Sequence, residues 1–403
     1  MELFWLEHKK LWRKKIVKIC VLLCFVYCVI FGSILSFQWF SFGSSDDYTS
    51  AFGNNFDGYT VIKDSQEYAL SFGGELTDET LQQIVSDYQQ MEADGMEKEL
   101  EKTDWQIVNS WLGTLYPELR DTSNYKTMIS YVDPDKLTGF YERRQQALDE
   151  FLEVSGQVGA EKEFLHQIER KVEKPFHYEW VEGWSTLLGS MVADLGVVMA
   201  LFLGIVLSSL FAGEWHDNTS TLVLTTRNGW GKIALAKILT GLAFTVELFA
   251  LLAVSNVISQ LFFMGTAGWD MPIQNIKLIA VAPMNMLQAE IYEYAFVLLG
   301  AIGFAGIVMF ISAAVKNNVL TLLLSLAVVY GPMMIAEYLP YGMQKALDLI
   351  PLVGSSTDIF RTNTFRILGK LIWSPYLLIT IPVLIGILCM PFAIKSWSRR
   401  MKA

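Results

Sequence analysis

The sequence predicts an all-α polytopic membrane protein with six transmembrane helices and a mainly helical extracytoplasmic domain inserted between helices 1 and 2. Of its 403 residues, 52% are hydrophobic and only 18% are charged, a more apolar balance than that of a soluble domain. Six apolar runs have the roughly 20 residues that cross about 30 Å of hydrocarbon as one helix with its backbone amides paired. Most of the acidic residues fall in one block between the first run and the second. This pattern predicts one span, a water-exposed insert and five further spans.

The apolar runs set the predicted boundaries of the spans. They are Ile16–Phe37, Leu187–Phe211, Ile233–Phe263, Glu290–Val315, Val319–Leu339 and Leu371–Ile394. The third run is longer than a straight crossing requires, which predicts an interfacial turn within it. The resulting layout is a cytoplasmic amphipathic helix (1–15), transmembrane helix 1 (16–40), an extracytoplasmic acidic domain (41–186), transmembrane helix 2 (187–212), a cytoplasmic segment (213–232), and transmembrane helices 3–6 with a basic tail (233–403).

The amino terminus begins with a basic segment that leads into the first apolar run. That run is too long for a signal peptide and ends at Phe37, Trp39 and Phe40 without a small-residue cleavage site, so we expect an uncleaved anchor. Before it, apolar and charged residues interleave, which predicts a short amphipathic helix in the inner headgroup layer; the alternative is a frayed start to the first span. The apolar members are Leu3, Phe4, Trp5, Leu6, Leu11 and Trp12.

The insert, residues 41–186, carries 29 acidic and 12 basic side chains. This strongly anionic balance argues against a nucleic acid as partner. None of the four cysteines lies in the insert, so an apolar core must hold it together without disulfides. Cys20, Cys24, Cys28 and Cys389 all fall in predicted spans, where we interpret them as small packing residues.

Local patterns predict the elements of the insert. Tyr59–Lys63 and Tyr68–Phe72 alternate enough to predict a short strand or an extended pair, ended by Gly73 and Gly74. Thr77 is expected to cap a helix, and a second helical stretch covers 141–172 with an interruption near Gly156. The stripe of the first helix consists of Leu81, Ile84, Tyr88 and Met91.

Basic residues indicate the orientation, because Lys and Arg are enriched on the cytoplasmic flanks of spans. With six crossings, four basic groups fall on one side, whereas five crossings would scatter them. Both termini are then cytoplasmic and the insert is extracytoplasmic, as expected in a bacterial plasma membrane. The four groups are Lys9, Lys10, Arg13, Lys14, Lys15 and Lys18; Arg227, Lys232 and Lys237; Lys316; and Lys395, Arg399, Arg400 and Lys402. The exceptions, placed outside, are Lys345, Arg361, Arg366 and Lys370.

The junction between the second and third spans, residues 211–237, is the most specific stretch of the chain. It resembles the permease subunits of type 2 ABC exporters, in which the second span ends in a glutamate and is followed by a short helix and a lysine-bearing third span. The matching positions are Glu214, Thr219, Arg227, Lys232 and Lys237, while Asn218 stands where many members have glycine. Gly74–Glu79 and Pro175–Trp184 look like segments of the Firmicutes-type branch, which has a large domain between spans one and two.

The resemblance implies that residues 213–232 form a coupling helix and loop that docks onto an ATP-binding subunit. The helix would begin between Trp215 and Thr221, with Asp217 or Asn218 as its cap, and Arg227 would donate to the partner. A solvated turn with basic anchors is the alternative interpretation. The expected coupling residues are Glu214, Trp215, His216, Asp217, Asn218, Thr219, Arg227 and Lys232.

The same resemblance defines the expected partners. Two copies of an ABC ATPase would bind ATP and Mg, and a second permease subunit, identical or homologous, would complete the path through the lipid membrane. This chain would bind no cofactor or metal and would not itself be an enzyme. It has no Walker A loop, H-E-x-x-H or G-x-S-x-G motif. The implied activity is export of an amphipathic substrate, such as an antimicrobial peptide, a lipid or a drug-like molecule.

Four acidic residues in predicted spans are candidates for a translocation path, because ionisable groups in the membrane are costly and often functional. Glu247 lies near the middle of the third span. It would face a substrate cavity, pair with a basic group of a partner subunit, or stay protonated between helices. Asp194, Glu290 and Glu293 lie near the outer interface, where hydration is the alternative explanation.

Two other classes of protein share parts of this pattern. A non-transporting membrane scaffold or receptor has the same layout of one span, an outer domain and five spans, but does not need the docking junction. A membrane enzyme would need acid, base or metal groups that converge, and the sequence shows no such set. The junction therefore favours the transport subunit.

Overall fold

The computed structural model describes residues 2–27, 62–63, 66–67, 69, 73–95, 105–121, 126–217, 219, 231–354 and 362–399. Within these ranges the chain is mostly helical, and five helices are long and apolar enough to cross a membrane. The first predicted span, Ile16–Phe37, is helical over 15–27, and its remaining residues lie outside the described part. The mostly helical architecture is therefore confirmed, and the five long apolar helices are consistent with the predicted polytopic membrane protein.

The elements run in the following order. The amino-terminal part contains α1 (Glu2–Arg13) and α2 (15–27). The insert contains β1 (Gly74–Glu75), α3 (Asp78–Ala93), α4 (Trp105–Leu115), α5 (Phe140–Val154), α6 (Ala160–Glu169), β2 (His177–Tyr178) and α7 (Glu182–Thr186). The remainder contains α8 (Val192–His216), α9 (Lys232–Met264), α10 (Met286–Ala314), α11 (Asn318–Ile335), α12 (Tyr341–Leu347), β3 (Thr364–Ile367), β4 (Lys370–Trp373) and α13 (Ser374–Arg399).

Several observed helix boundaries differ from the predicted ones. Leu187–Met191 form a π-helical turn whose Gly189 has non-helical torsions, so α8 begins at Val192 and continues to His216. The interfacial turn predicted within the third span is absent: α9 is one helix of 33 residues, roughly 50 Å long. It ends at Gly265, whose φ of 79° suits a glycine at the end of a helix.

The start of α10 and that of α13 also lie away from the predicted positions. Asn285 caps α10 through a capping box with Gln288, so this helix begins four residues before Glu290. Residues 371–373, predicted as the start of the last span, belong to the antiparallel hairpin β3–β4 instead. An apolar run has the same hydropathy in a strand as in a helix, which is why hydropathy alone misplaced this boundary.

Helices α10 and α13 approach each other closely. A Cβ atom built on Gly306 would lie 2.5 Å from the carbonyl oxygen of Gly386, and one built on Gly303 would lie 2.3 Å from that of Pro382. Only glycine lets two helices approach this closely, a pattern common between helices in membranes. These glycines therefore set the distance between the two helices.

The insert has the apolar core that the missing disulfides require. Leu81, Ile84 and Tyr88 of α3 are buried against Trp111 and Phe140 of the neighbouring helices. Further members of this core are Val85, Leu112, Tyr116, Leu137, Phe176 and Tyr178. The residues thus lie on one helical face, as the spacing in the sequence predicts.

Local features of the insert agree in part with the predictions. Thr77 caps α3 by accepting a hydrogen bond from the Thr80 amide at 3.2 Å, which confirms the predicted cap. The strand pair predicted for 59–63 and 68–72 is wrong where the structure describes it, because residues 62–63 and 69 are helical. The observed pairing is between β1 and β2, and it joins the two ends of the described insert.

The insert rests on the loop 265–285 between α9 and α10. The indole of Trp111 donates to the Asn275 carbonyl at 3.1 Å, and the Asn275 amide donates to the His177 carbonyl at 2.9 Å. Arg144, fully buried, donates through Nε to the Leu278 carbonyl at 2.8 Å and forms an ion pair with Glu169 at 2.5 Å. The hydrogen bonds to Asn275 and Leu278 attach the insert to this end of the bundle, called here the insert end.

The hairpin β3–β4 lies at the same insert end. Arg366 forms an ion pair with Glu161 at 2.7 Å, and Thr364 donates to the Gln157 side chain at 2.8 Å. The Lys345 ammonium donates to the Thr364 carbonyl at 2.7 Å. Arg366 is one of the basic residues that the predicted orientation places outside, against the usual charge rule. Its partner here is an acidic residue of the insert.

Candidate functional site

The predicted coupling glutamate lies in a buried cluster of charges at the opposite end of the bundle, called here the junction end. One carboxylate oxygen of Glu214 accepts from Lys237 Nζ at 2.8 Å and from Lys10 Nζ at 2.5 Å. The other accepts from the Thr219 hydroxyl at 2.5 Å. Lys237 also donates to Glu7 at 2.8 Å. We call Glu7, Lys10, Glu214 and Lys237 the ion cluster.

The ion cluster joins three helices that are distant in sequence. Glu214 is at the end of α8, Lys237 is in the second turn of α9, and Glu7 and Lys10 belong to α1. Glu214 is only 4% exposed and Lys237 only 2%. Charges this deeply buried are stable only when they are paired and hydrogen-bonded. Glu214 and Lys237, the two deeply buried members, therefore depend on each other most strongly.

The lysines beside Glu214 differ in their titration. Burial lowers the pKa of Lys10, but the hydrogen bond and charge of Glu214, together with Glu7 and Asp217, raise it overall above its ordinary value. For Lys14, burial and repulsion from Lys237 and Lys10 lower the pKa. Lys14 donates to the Ser209 hydroxyl of α8 at 3.0 Å. Lys10, which is salt-bridged, thus holds its proton to a higher pH than Lys14 does.

Helix α1 packs along α9 rather than lying apart from the bundle. Leu11 is buried, and the Trp12 ring lies edge-on to the Phe244 ring with 5.8 Å between centroids. Trp5 and Leu6 point outward and are more than half exposed. An amphipathic helix with this exposed apolar pair suits a position at a membrane interface, with its other side fixed to the protein.

Trp215 and His216, predicted to open a separate coupling helix, belong to the last turn of α8. The Asp217 amide continues the helical pattern by donating to the Gly213 carbonyl, and the Thr219 amide donates to the Glu214 carbonyl. The predicted coupling helix therefore does not begin at Trp215 or His216, because α8 runs through both residues, and most of the rest of the predicted range up to Thr221 lies outside the described residues. Asn218 and Arg227 lie outside the described residues.

Trp215 is held by side chains from two other elements. Its ring lies edge-on to the Trp397 ring of α13 at 6.2 Å between centroids, and the Lys316 ammonium lies 4.4 Å from its ring centre. His216, Asp217 and Lys232 are exposed at the same end, with Lys232 the first residue of α9. The junction end thus presents these polar side chains around a fixed indole.

Glu247 has its described partners within this chain. Its carboxylate accepts from the Trp12 indole at 3.0 Å and lies 3.2 Å from His8 Nε2. The side chain is 42% exposed, so it lies on the outside of α9 beneath α1. These contacts come from the amino-terminal helix of the same chain, whereas the pairing expected from the sequence was with a basic group of a partner subunit.

Glu290 and Glu293 are buried, in contrast to the hydrated position weighed from the sequence. They lie in the first two turns of α10 and are 4% and 0% exposed. Nearby, Tyr294 lies beside Glu290 and its hydroxyl is 3.3 Å from the Asn256 amide of α9. The Asp194 side chain lies outside the described residues, although its backbone belongs to α8. The structure therefore brings two of the four candidate path residues together, and they are far along the chain from Glu247.

Sequence reasoning missed Glu7 and the pairing role of Lys10 and Lys237. Lys237 was interpreted as a marker of orientation and as a basic position of the junction, yet it lies inside a predicted span, where a lysine needs a carboxylate partner. That position is the one signal in the sequence that pointed to a buried pair. The partner helix α1 could be identified only from the tertiary structure.

No family model, curated protein or solved structure matches this chain.

Proposed function

We propose that this chain is the membrane-spanning subunit of an ATP-driven ABC exporter whose ATPase is a separate subunit. The observation that carries the proposal is the ion cluster, which fixes α1, α8 and α9 to one another at the junction that resembles the ATPase-docking segment. The proposed substrate is amphipathic, and two such chains, or one chain and a homologous subunit, line its path. Both termini are cytoplasmic in the bacterial plasma membrane, and the insert is extracytoplasmic.

The ion cluster suits a coupling role for a physical reason. Buried, mutually paired charges resist separation, because each would be left unpaired in a poorly solvated place. A displacement applied to the end of α8 would therefore move α9 and α1 with it. Trp215, held between Trp397 and Lys316, extends this connection to α13.

The charge distribution supports the proposed orientation. Lys9, Lys10, Arg13 and Lys14 cluster at the junction end together with Lys232, as expected of a cytoplasmic face. At the insert end Arg366 pairs with Glu161, so its positive charge has an acidic partner in the insert. This pairing removes one objection to placing the hairpin outside.

Affinity purification of the full chain from its native host in mild detergent, followed by mass spectrometry, tests the proposal. We expect an ABC ATPase to copurify with the wild type and to be reduced at least fivefold by Arg227→Glu, which reverses a charge in the proposed docking loop. Glu142→Gln, an exposed change on the insert, is the control and should leave recovery unchanged.

Two outcomes would overturn the proposal. Absence of any ATPase across several detergents would favour the membrane scaffold or receptor instead. Equal recovery with wild type and Arg227→Glu would show that an ATPase binds elsewhere than the junction. Size-exclusion chromatography of each variant separates loss of docking from loss of folding.

A further inference from the structure

The corner where α1 meets α2 concentrates positive charge at the surface. Residues 2–27 contain six basic side chains and two acidic ones. Two of the six have partners in the bundle, since Lys10 pairs with Glu214 and Lys14 donates to Ser209. The other four are exposed, and in the described part of the chain no ion pair or side-chain hydrogen bond engages them. They are Lys9, Arg13, Lys15 and Lys18.

The turn between the two helices brings these cations close together. The Lys14 amide donates to the Leu11 carbonyl at 3.1 Å, and the Lys18 amide then donates to the Lys14 carbonyl as α2 begins. Arg13 and Lys15 are two residues apart, so at most about 7 Å separates their Cα atoms. Lys15 and Lys18 are three residues apart in a helix, which makes them neighbours on one face. Cations held this closely repel one another and attract an anion.

Helix α2 has two contrasting faces. Its inner face, with Val17, Cys20 and Cys24, is buried in the same apolar core as α8. Its outer face is apolar as well but is exposed, and an exposed apolar face of this kind suits contact with lipid. The outer residues, between 39% and 60% exposed, are Ile16, Ile19, Leu22, Leu23, Phe25 and Val26.

Two of the exposed lysines stand at the head of this outer face. Lys15, Ile19, Leu22 and Val26 follow one another at spacings of four, three and four residues, so they lie along one side of α2. The stripe rises about 17 Å, close to the half-thickness of a hydrocarbon layer of about 30 Å. An acyl chain along this stripe would place its phosphate beside the ammonium groups of Lys15 and Lys18.

The exposed side of α1 combines the same two properties. Trp5 and Leu6 are 62% and 63% exposed, and Lys9 and Arg13 follow them at helical spacing. The acidic residue on this side, Glu2, lies at the far end of the helix from the corner. Bulky apolar side chains among cations are typical of a helix in contact with anionic headgroups.

We propose that the corner between α1 and α2 is a binding site for an anionic phospholipid. Lys15 and Lys18 face its phosphate, Ile19 and Leu22 contact an acyl chain, and the cations of α1 add to the attraction. Lipid binding at this corner requires neither an ATPase nor a transported substrate, so it stands apart from the proposed function.

Native mass spectrometry of the full chain in dodecyl maltoside measures the Kd of the first bound lipid. The probes are dioleoylphosphatidylglycerol, which is anionic, and dioleoylphosphatidylcholine, which has the same acyl chains and no net charge. We expect phosphatidylglycerol to bind about tenfold more tightly or better, because cations near the membrane surface select anionic headgroups. Glycerol phosphate, which has the phosphate without the acyl chains, should not displace it at equal concentration.

Two matched double variants locate the site. Lys15→Gln with Lys18→Gln should weaken phosphatidylglycerol binding about tenfold or more, at about fivefold for each cation near an anionic surface. Lys171→Gln with Lys277→Gln removes the same charge from exposed positions at the insert end and should leave the Kd within about twofold. Lys15→Arg with Lys18→Arg keeps the charge and should stay within about threefold of the wild type.

Equal affinity for the two lipids would overturn the proposal, because the contact would then be apolar alone. Equal weakening by the two glutamine double variants would also overturn it, since binding would then follow overall charge. Displacement by glycerol phosphate would make the ligand a soluble phosphate instead of a lipid.

A protein partner at the corner gives a different result. The variant Lys15→Gln with Lys18→Gln would then lose the ATPase in affinity purification while keeping its affinity for phosphatidylglycerol, which would overturn the proposal. Thermal unfolding identifies any variant that fails to fold, and the arginine pair separates loss of charge from loss of structure. Absence of an ATPase from the wild type would leave the lipid result unaffected.

Discussion

Removing either charge of the Glu214–Lys237 pair should destabilise the protein strongly, and removing both should cost less than the sum. Breaking a buried ion pair by deleting one partner typically costs about 3–5 kcal/mol, because the other charge remains buried and unpaired. Here each survivor keeps one further partner, Glu7 for Lys237 and Lys10 for Glu214. We therefore expect about 2–4 kcal/mol for Glu214→Gln or Lys237→Met alone.

The double variant measures the interaction itself. If the pair acts as one unit, Glu214→Gln combined with Lys237→Met should cost about 1–3 kcal/mol less than the two single changes added together. Lys10→Met should cost about 1 kcal/mol or less, since the Lys10 side chain is 52% exposed and its ion pair is largely solvated. The assay is the free energy of unfolding in mixed micelles, from titration with SDS followed by far-UV circular dichroism.

Two results would refute this account of the ion cluster. Strictly additive single variants would mean that Glu214 and Lys237 do not depend on each other. A cost for Lys10→Met equal to that for Lys237→Met would mean that burial does not determine the strength of these contacts. A change of Glu142→Gln serves as the baseline for a surface carboxylate, with no expected effect.

Three further predictions concern packing, pH and capping. Gly306→Ala should destabilise the protein by about 1–3 kcal/mol because its Cβ would meet the backbone of α13. Gly331→Ala, with nothing within 4 Å of its Cβ, should be neutral or slightly stabilising. The free energy of unfolding in mixed micelles compares the two variants. Burial raises the pKa of Glu169, but hydrogen bonds from Lys174 and Arg144 lower it overall below 4.5. The stabilising effect of Glu169 should therefore be fully present above the unfolded-state pKa and lost as the pH falls through the folded-state pKa. Glu169→Gln should remove this acid-dependent step from the pH profile of unfolding, and an unchanged step would contradict the assignment. Thr77→Ala should cost about 1 kcal/mol and Thr77→Ser close to nothing, because only the alanine lacks the hydroxyl that accepts at the helix start; equal costs, measured by thermal unfolding, would argue against the cap.

Helix positions were predictable where an apolar run alone defines the span. The third span was predicted as Ile233–Phe263 and is observed as Lys232–Met264, one residue longer at each end. Prediction was poorer where apolar residues continue beyond the helix, as at Leu187–Met191 and at residues 371–373. Hydropathy reports how apolar a segment is, and does not separate a π-helical turn or a strand from an α-helix.

The candidate site was likewise predictable from the sequence only in part. The sequence pointed to Glu214 because it ends an apolar run and lies in a junction that resembles a known one. It could not show that Lys10, 204 residues away, would be its partner. Nor could it show that Glu290 and Glu293 are buried rather than hydrated, because their burial depends on what packs against the start of α10.

The sequence by itself determined that the chain contains helices long and apolar enough to cross a membrane, together with an acidic insert, because about 20 consecutive apolar residues pair their backbone internally as a helix. Only the tertiary structure decided which charges meet. Glu7, Lys10, Glu214 and Lys237 come from three helices. Electrostatic interactions depend on distance and burial in space, and neither quantity is written in the order of residues along the chain.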